Sequence, residues 1–314
     1  MAGYDLNIAK KIQQSLNTMG FDTGGIDGLF GVKSSASLIL LQCYLNRADP
    51  GQTISGEVDL QTLEQVKAAT ANGTTCSKVN LNLRSWTPKV PSVDTWDESR
   101  NGCLSEASMV RIPTGNYEKA LMEKHAAIAW AMLIGGVIGY NRTVNPKDQL
   151  SVNKFSCTGI NSAYRAYHYQ VEAYICYRHG GSLASCPTFA KGSSCPVQSN
   201  KKNANNVYAE KWISENWAGY KSDGVWNDIP DKATASGGDL EGYGHSNHGW
   251  GLAIDFAVND PGTAGGGKGY STTKEVKWLE KHAREYGFYG LYDSTKAKGY
   301  FKETWHWAYA AVQF

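Results

Sequence analysis

Two short stretches in the last quarter of the chain contain residue types that bind a catalytic metal ion. The first stretch contains His248 and Asp255, and the second contains Glu303 and His306. A catalytic zinc ion is typically held by three His or carboxylate ligands, with an open position for water. His248, Asp255 and His306 provide one such set and therefore predict a zinc site.

A site of this kind is suited to hydrolysis. Zinc lowers the pKa of a bound water to near 7, and a carboxylate is then needed to move the proton of that water. Glu303, three residues before His306, is the candidate for this general acid/base. In residues 251–256, small and bulky side chains alternate, which places Asp255 on the opposite strand face from Ile254 and Phe256.

The region around these residues is predicted to contain helices flanking a few strands. Helices are expected at 117–138, 167–179 and 272–286, and strands near 152–160, 250–258 and 301–310. Gly287 marks the end of the last helix. Because helices and strands do not alternate strictly, the fold class is expected to be α+β. Residues 181–240 are rich in Ser, Gly, Asn and Lys and are expected to form a long insertion.

The first 70 residues have apolar positions at helical spacing and predict three short helices. Asp59 is a good N-cap for the third helix. We therefore expect a three-helix domain at 1–72, a linker at 73–105 that includes a Pro-containing run, and a catalytic domain at 106–314.

Composition excludes several classes of protein. The net charge is +2, with no concentrated basic stripe, which argues against nucleic-acid binding. The longest apolar stretch, 126–140, is shorter than the roughly 20 residues of a membrane span. Seven cysteines leave at least one thiol unpaired within the chain. An oxidising compartment would allow a disulfide among Cys176, Cys186 and Cys195. The N-terminal residues lack the pattern of a secretory signal.

Three motifs together carry a family resemblance. Residues 246–255 fit the pattern S-x-H-x-x-G-x-A-x-D, residues 303–306 fit E-x-W-H, and residues 162–165 fit S-x-Y-R with Gln170 five residues later. In this order they resemble the VanY-like zinc D-Ala-D-Ala carboxypeptidases and endopeptidases, a branch of the LAS-type metallopeptidases. The resemblance covers about 115–314 and implies a domain with a small antiparallel sheet flanked by helices.

The resemblance also implies a role for each motif residue. His248, Asp255 and His306 would bind zinc, Glu303 would be the general acid/base, and Arg165 would stabilise the oxyanion. Ser246, Ser162 and Gln170 would hold a metal ligand or the substrate in place.

The N-terminal region has a resemblance of its own. Between its first two predicted helices lies a D-G-x-F-G turn that contains Asp27, Gly28 and Phe30. This arrangement resembles the peptidoglycan-binding domain of many cell-wall hydrolases, with the turn as its core. A generic three-helix bundle is the alternative interpretation.

Together these resemblances imply a monomeric zinc peptidase that cuts peptide bonds in bacterial peptidoglycan, as a carboxypeptidase or a cross-link endopeptidase. A phage endolysin is expected, made in the host cytoplasm without a signal peptide and acting on the wall after release, or virion-associated. No membrane or nucleic-acid partner is expected. The alternatives are an L-Ala-D-Glu endopeptidase of the same fold and a non-catalytic wall-binding virion component. Glu303 and Trp305 favour the D-Ala-D-Ala type.

Overall fold

The computed structural model describes residues 4–86, 102, 104–115, 119–159, 162–166, 233–235, 238–240, 247–258, 273–290 and 304–309. These residues form a helical bundle followed by mixed helices and short strands, which confirms the α+β class. The helices are α1 (Leu6–Thr18), α2 (Val32–Ala48), α3 (Leu60–Ala71), α4 (Cys76–Leu83), α5 (Lys124–Asn141) and α6 (Lys274–His282). The strands are β1 (Val110–Pro113), β2 (Lys119–Met122), β3 (Ala233–Ala235), β4 (Gly238–Leu240), β5 (Ala253–Asp255), β6 (Phe288–Gly290) and β7 (His306–Tyr309).

The three predicted N-terminal helices are present as α1, α2 and α3. Asp59 caps α3 as expected, because its carboxylate accepts a hydrogen bond from the Thr62 N–H. A fourth helix, α4, lies where the sequence predicted the start of a linker. Val79 and Leu83, four residues apart, form its buried face, and this short apolar repeat was missed in the sequence.

The D-G-x-F-G turn is tied to α1 by the buried side chain of Gln13. Its amide donates to the Asp27 carboxylate at 3.1 Å, and its carbonyl oxygen accepts from the Gly28 N–H at 2.8 Å. Phe30 is buried, and its N–H donates to the Tyr4 hydroxyl. Gly28 has a φ of 85°, which favours glycine. These residues therefore define the shape of the turn.

Helix α5 lies between the bundle and the strand region, packing against α2 and β1. The prediction placed its start near 117, but β2 occupies 119–122 and the helix begins at Lys124. Glu123 explains the start, since its carboxylate accepts from the N–H groups of His125 and Ala126. Because residues on most sides of α5 are buried, the bundle and the strand region share one hydrophobic core.

A polar contact joins the α2–α3 loop to the β1–β2 hairpin. The Arg111 N–H donates to the Ser55 carbonyl at 2.7 Å. The Glu57 carboxylate pairs with the Arg111 side chain at 2.7 Å and with Lys119 at 3.0 Å. Gly56 has a φ of 64°, and a Cβ there would clash with the Arg111 carbonyl oxygen. The loop therefore lies directly on the hairpin backbone.

The strands that matter for the site form a three-stranded antiparallel sheet in the order β5-β7-β6. Isolated bridges from Cys157 to Thr114 and to Phe256 link this sheet to the hairpin. The strand expected near 152–160 is instead a 3-10 turn at Val152–Phe155, followed by the Cys157 bridges. The predicted helix at 272–286 is α6 continued by a 3-10 turn, and it ends at Gly287, where φ is 82°.

Some expectations fall on residues that the structure does not describe. The helix expected at 167–179 lies outside the described residues, as do Cys176, Cys186 and Cys195. Of the expected insertion at 181–240, the described part is the antiparallel pair β3–β4. Among the helices of the described ranges, none is both long and apolar enough to cross a membrane.

The contact between the bundle and the hairpin predicts that replacing two different glycines with alanine will destabilise the protein by different amounts. Gly56 and Gly73 both have left-handed backbones, with φ of 64° and 63°, but a Cβ at Gly73 meets nothing within 4 Å. We expect Gly56→Ala to lower the free energy of unfolding by about 3 kcal/mol and Gly73→Ala by only about 1 kcal/mol, the cost of backbone strain alone. Chemical denaturation measures both values. Equal losses would show that the loop does not pack on β1.

Candidate metal centre

Three elements bring the predicted zinc ligands together. His248 lies on the 3-10 turn Asn247–Trp250, Asp255 ends β5, and His306 begins β7. In the antiparallel pairing of β5 with β7, Asp255 is directly opposite His306. All three residues are buried, with exposed fractions of 3%, 9% and 7%. Their side-chain ligand atoms lie within 4.8 Å of one another.

The three ligand atoms form a triangle slightly smaller than the one around a tetrahedral zinc ion. His248 Nε2 lies 3.0 Å from His306 Nδ1 and 3.3 Å from Asp255 Oδ1, and the third side, from His306 Nδ1 to Asp255 Oδ1, is 3.0 Å. Ligands at about 2.0–2.1 Å from a tetrahedral zinc are separated by about 3.3–3.4 Å. The side chains could therefore hold zinc with little rearrangement.

The protonation of His248 also favours a cation at this point. Its Nδ1 lies 2.8 Å from the Ala163 carbonyl oxygen, which can only accept, so Nδ1 carries the proton. Burial lowers the pKa of His248 to about 4, against the opposing effect of Asp255, and the ring is neutral at pH 7. Its Nε2 therefore presents a lone pair towards the Asp255 oxygen at 3.3 Å. A bound cation would turn this repulsion between two acceptors into ligation.

Asp255 is ionised in this setting. Burial alone would raise its pKa. At the acid pH where the carboxyl titrates, however, His248 is protonated, and the two histidines outweigh burial and hold the pKa of the carboxyl below its ordinary value. Its Oδ1 faces the two histidines, while Oδ2 lies 3.8 Å from the Arg165 guanidinium. A neutral imidazole and a carboxylate are the protonation states that bind a metal ion.

Arg165 lies at the edge of the site. Its N–H donates to the His248 carbonyl at 2.9 Å, and a quarter of its side chain is exposed. The guanidinium is therefore positioned beside the triangle, on the side of Asp255 away from the histidines. A fixed cation in this place can stabilise negative charge that develops on a substrate.

Main-chain hydrogen bonds align β5 for this arrangement. The Asp255 N–H donates to the Ser162 carbonyl at 2.7 Å, and the Asp255 carbonyl accepts from the Thr158 N–H at 2.9 Å. Ser162, expected to act near the site, thus contacts Asp255 through its backbone. Gly251 has a φ of 66°, and a Cβ there would lie 2.8 Å from the Glu123 nitrogen. The backbone at Gly251 therefore packs closely against the start of α5.

Cys157 lies near the site but is a poor metal ligand. Its thiol donates to the Gly159 carbonyl at 2.9 Å, and burial raises its pKa to about 12. With this pKa, Cys157 stays a buried neutral thiol at pH 7. Because only the thiolate binds metals well, Cys157 is a poor ligand.

The structure describes part of the predicted residue set. It brings together His248, Asp255, His306, Arg165 and Ser162, while Ser246, Gln170 and Glu303 lie outside the described residues. Two features near the site were not predicted: the Ala163 carbonyl that orients His248, and Tyr164, which lies between Ala163 and Arg165. Tyr164 was part of the quoted S-x-Y-R motif, and that motif was the available signal.

Comparison with known proteins gives the family. The sequence model of VanY, described as D-alanyl-D-alanine carboxypeptidase, matches residues 151–312. This chain belongs to the VanY family of D-alanyl-D-alanine carboxypeptidases. Comparisons with curated proteins and with solved structures gave no match.

The VanY match begins at the 3-10 turn before Cys157 and includes every predicted catalytic and metal-site residue. Membership of the VanY family supports a peptidase that acts on peptidoglycan peptides. The α1–α4 bundle and α5 precede the matched residues, although they share a hydrophobic core with them.

The lowered pKa values predict how acid affects the stability of the metal-free protein. The pKa of His248 is lower in the folded state than its ordinary value of 6.5. As the pH falls from about 6.5 towards 4, this histidine takes up a proton in the unfolded state but stays neutral in the folded state. The folded state therefore loses stability over this range. The lowered pKa of Asp255 acts in the same direction at more acid pH. We expect the chelator-treated protein to lose up to about 3 kcal/mol of stability over this range.

Two glutamine variants test whether this loss of stability in acid comes from His248. Denaturation at several pH values should show a flatter acid limb for His248→Gln, whereas His282→Gln, which removes a histidine paired with Glu285, should keep the wild-type slope. An unchanged slope in His248→Gln would contradict the assigned protonation of the site.

Proposed function

We propose that this VanY-family protein is a zinc peptidase that hydrolyses peptide bonds in bacterial peptidoglycan. The observation that carries the proposal is the buried triangle of His248 Nε2, Asp255 Oδ1 and His306 Nδ1, whose sides of 3.0–3.3 Å suit a tetrahedral zinc. The family match supports the same substrate class.

The chemistry divides among the residues of this chain. Zinc bound here would polarise the scissile carbonyl and make a water molecule acidic enough to act as the nucleophile. Glu303, which precedes His306 in the E-x-W-H motif, takes the proton of the attacking water and delivers it to the leaving amine. Arg165, anchored beside Asp255, stabilises the negative charge that develops on the carbonyl oxygen.

We propose D-Ala-D-Ala carboxypeptidase or cross-link endopeptidase action, with L-Ala-D-Glu cleavage as the alternative bond. Mass spectrometry of digested muropeptides separates the three outcomes. Loss of one alanine indicates a carboxypeptidase, conversion of cross-linked dimers to monomers indicates an endopeptidase of the cross-link, and release of the peptide after L-Ala indicates the alternative. Digestion that continues unchanged in excess chelator would contradict a metal mechanism.

Two variants separate metal binding from proton transfer. We expect His306→Ala to lose both zinc and activity because it removes one of three ligands. Glu303→Ala should keep zinc and lower turnover by about 10²–10⁴-fold, the usual contribution of a general acid/base. Zinc content by elemental analysis and turnover on a muropeptide measure both effects.

The matched control is Glu285→Ala, which removes a carboxylate that pairs with His282. It should retain both zinc and turnover. Loss of zinc from Glu303→Ala would instead make Glu303 a ligand and overturn its assigned role.

We further propose that the α1–α4 bundle binds the cell wall and that the protein has a lytic role, as a phage endolysin would. The support is the turn shaped by Asp27, Gly28 and Phe30, together with the exposed apolar side chains of Ile26 and Leu29 beside it. Exposed apolar groups that cluster on a surface often mark binding sites. A bound wall raises the concentration of substrate at the peptidase.

Point variants test wall binding better than truncation, because the bundle shares its core with α5. The double variant Ile26→Ser, Leu29→Ser should sediment with purified walls several-fold less than wild type and keep its turnover on a small soluble peptide. Leu81→Ser, which replaces an exposed leucine on α4, is the control and should sediment normally. Equal sedimentation of all three proteins would remove the turn from the binding surface.

A further inference from the structure

Tyr164 occupies a position from which it can control two site residues at once. It lies between Ala163, whose carbonyl accepts from His248 Nδ1 at 2.8 Å, and Arg165, whose N–H donates to the His248 carbonyl at 2.9 Å. The backbone of residues 163–165 therefore holds the imidazole and the loop of His248. Any shift of this segment would move a metal-site ligand and the guanidinium together.

Tyr164 anchors this segment at three points. Its N–H donates to the Leu121 carbonyl at 2.7 Å, which fixes the backbone to β2. Its ring is buried against Met109 and Leu121, with an exposed fraction of 7%. Its hydroxyl accepts from the Leu104 N–H at 3.0 Å and donates to the Leu104 carbonyl at 3.4 Å.

The segment that contains Leu104 also contacts the loop that carries His248. Two residues before Leu104, the Gly102 N–H donates to the Gly249 carbonyl at 2.7 Å. Gly249 is adjacent to His248. The chain just before β1 is therefore hydrogen-bonded both to the loop that carries His248 and, through the Tyr164 hydroxyl, to the segment that carries Arg165.

We infer that Tyr164 is a positioning residue of the metal centre: its hydroxyl, held by Leu104, fixes the 163–165 backbone that orients His248 and supports Arg165. The inference rests on the proposed function. Groups that orient a metal ligand from behind typically contribute ten- to a hundredfold to metal affinity or activity. Tyr164 contributes through backbone geometry, since its hydroxyl forms hydrogen bonds with the backbone of Leu104.

The test is Tyr164→Phe in the full chain, which keeps the ring packing and removes only the hydroxyl. We expect zinc affinity, measured by competition with a chromophoric chelator, to fall about ten- to a hundredfold. At saturating zinc, kcat on a soluble muropeptide should fall by about tenfold or more with little change in KM. The visible spectrum of the cobalt-substituted variant should shift, because the His248 ligand is less rigidly oriented.

The control is Tyr140→Phe, which removes a hydroxyl from a partly buried tyrosine whose ring contacts Trp278. It should match wild type in zinc affinity, kcat and cobalt spectrum. Leu104→Pro is a second variant, which deletes the N–H donor to the same hydroxyl and leaves Tyr164 intact. It should change the three readouts in the same direction, and it serves if Tyr164→Phe does not fold.

The outcomes distinguish this inference from the proposed function. A wild-type protein that binds no zinc and cleaves no muropeptide would refute the proposed function, and the role of Tyr164 with it. If wild type binds zinc and cleaves, but the variants match it in affinity, kcat and spectrum, only the inference fails. A loss of activity that follows the unfolded fraction alone, with normal zinc affinity in the folded protein, would also overturn it.

Discussion

The site depends on the register between two short antiparallel strands. Asp255 and His306 face each other across β5 and β7, and this pairing brings the carboxylate and the imidazole to 3.0 Å. A slip of one residue would turn the side chains of one strand to the opposite face of the sheet. Because both strands are only three or four residues long, neighbouring segments must fix their register.

That register is fixed from both ends of β5. The Asp255 N–H donates to the Ser162 carbonyl, and the Asp255 carbonyl accepts from the Thr158 N–H. These bonds attach the strand to the segment that leads to Arg165. Before β5, Gly251 packs against the start of α5, and its left-handed backbone turns the chain from His248 into the strand. Helix α5 in turn packs against the N-terminal bundle. The candidate metal site is therefore supported by a core that extends through both regions of the protein.

Much of this site could be predicted from the sequence, because its side chains lie in compact motifs. His248, Asp255 and His306 were predicted as a zinc-binding set from their residue types and from the motifs that contain them. The Ala163 carbonyl could not be predicted in this way. Every residue has a carbonyl group, and only the folded backbone determines which one faces His248. For the same reason, Ser162 acts through its main chain, which no side-chain motif records.

The fold could be predicted to a similar extent, and the prediction was incomplete for similar reasons. The helical spacing of buried residues and the Asp59 cap located α1, α2 and α3, whereas α4 has only Val79 and Leu83 to reveal it. The packing of the α2–α3 loop on Arg111 depends on a close approach at Gly56, and a glycine in sequence does not show which backbone lies beside it. The domain division at 1–72, 73–105 and 106–314 stays a prediction.

We propose that one divalent ion is held by His248, Asp255 and His306. The most direct measurement is an anomalous difference map at the zinc absorption edge from crystals grown with one equivalent of zinc. We expect a single strong peak about 2.0–2.1 Å from His248 Nε2, His306 Nδ1 and an Asp255 carboxylate oxygen. A peak bound by other residues, or three side chains that diverge with no zinc between them, would contradict the claim.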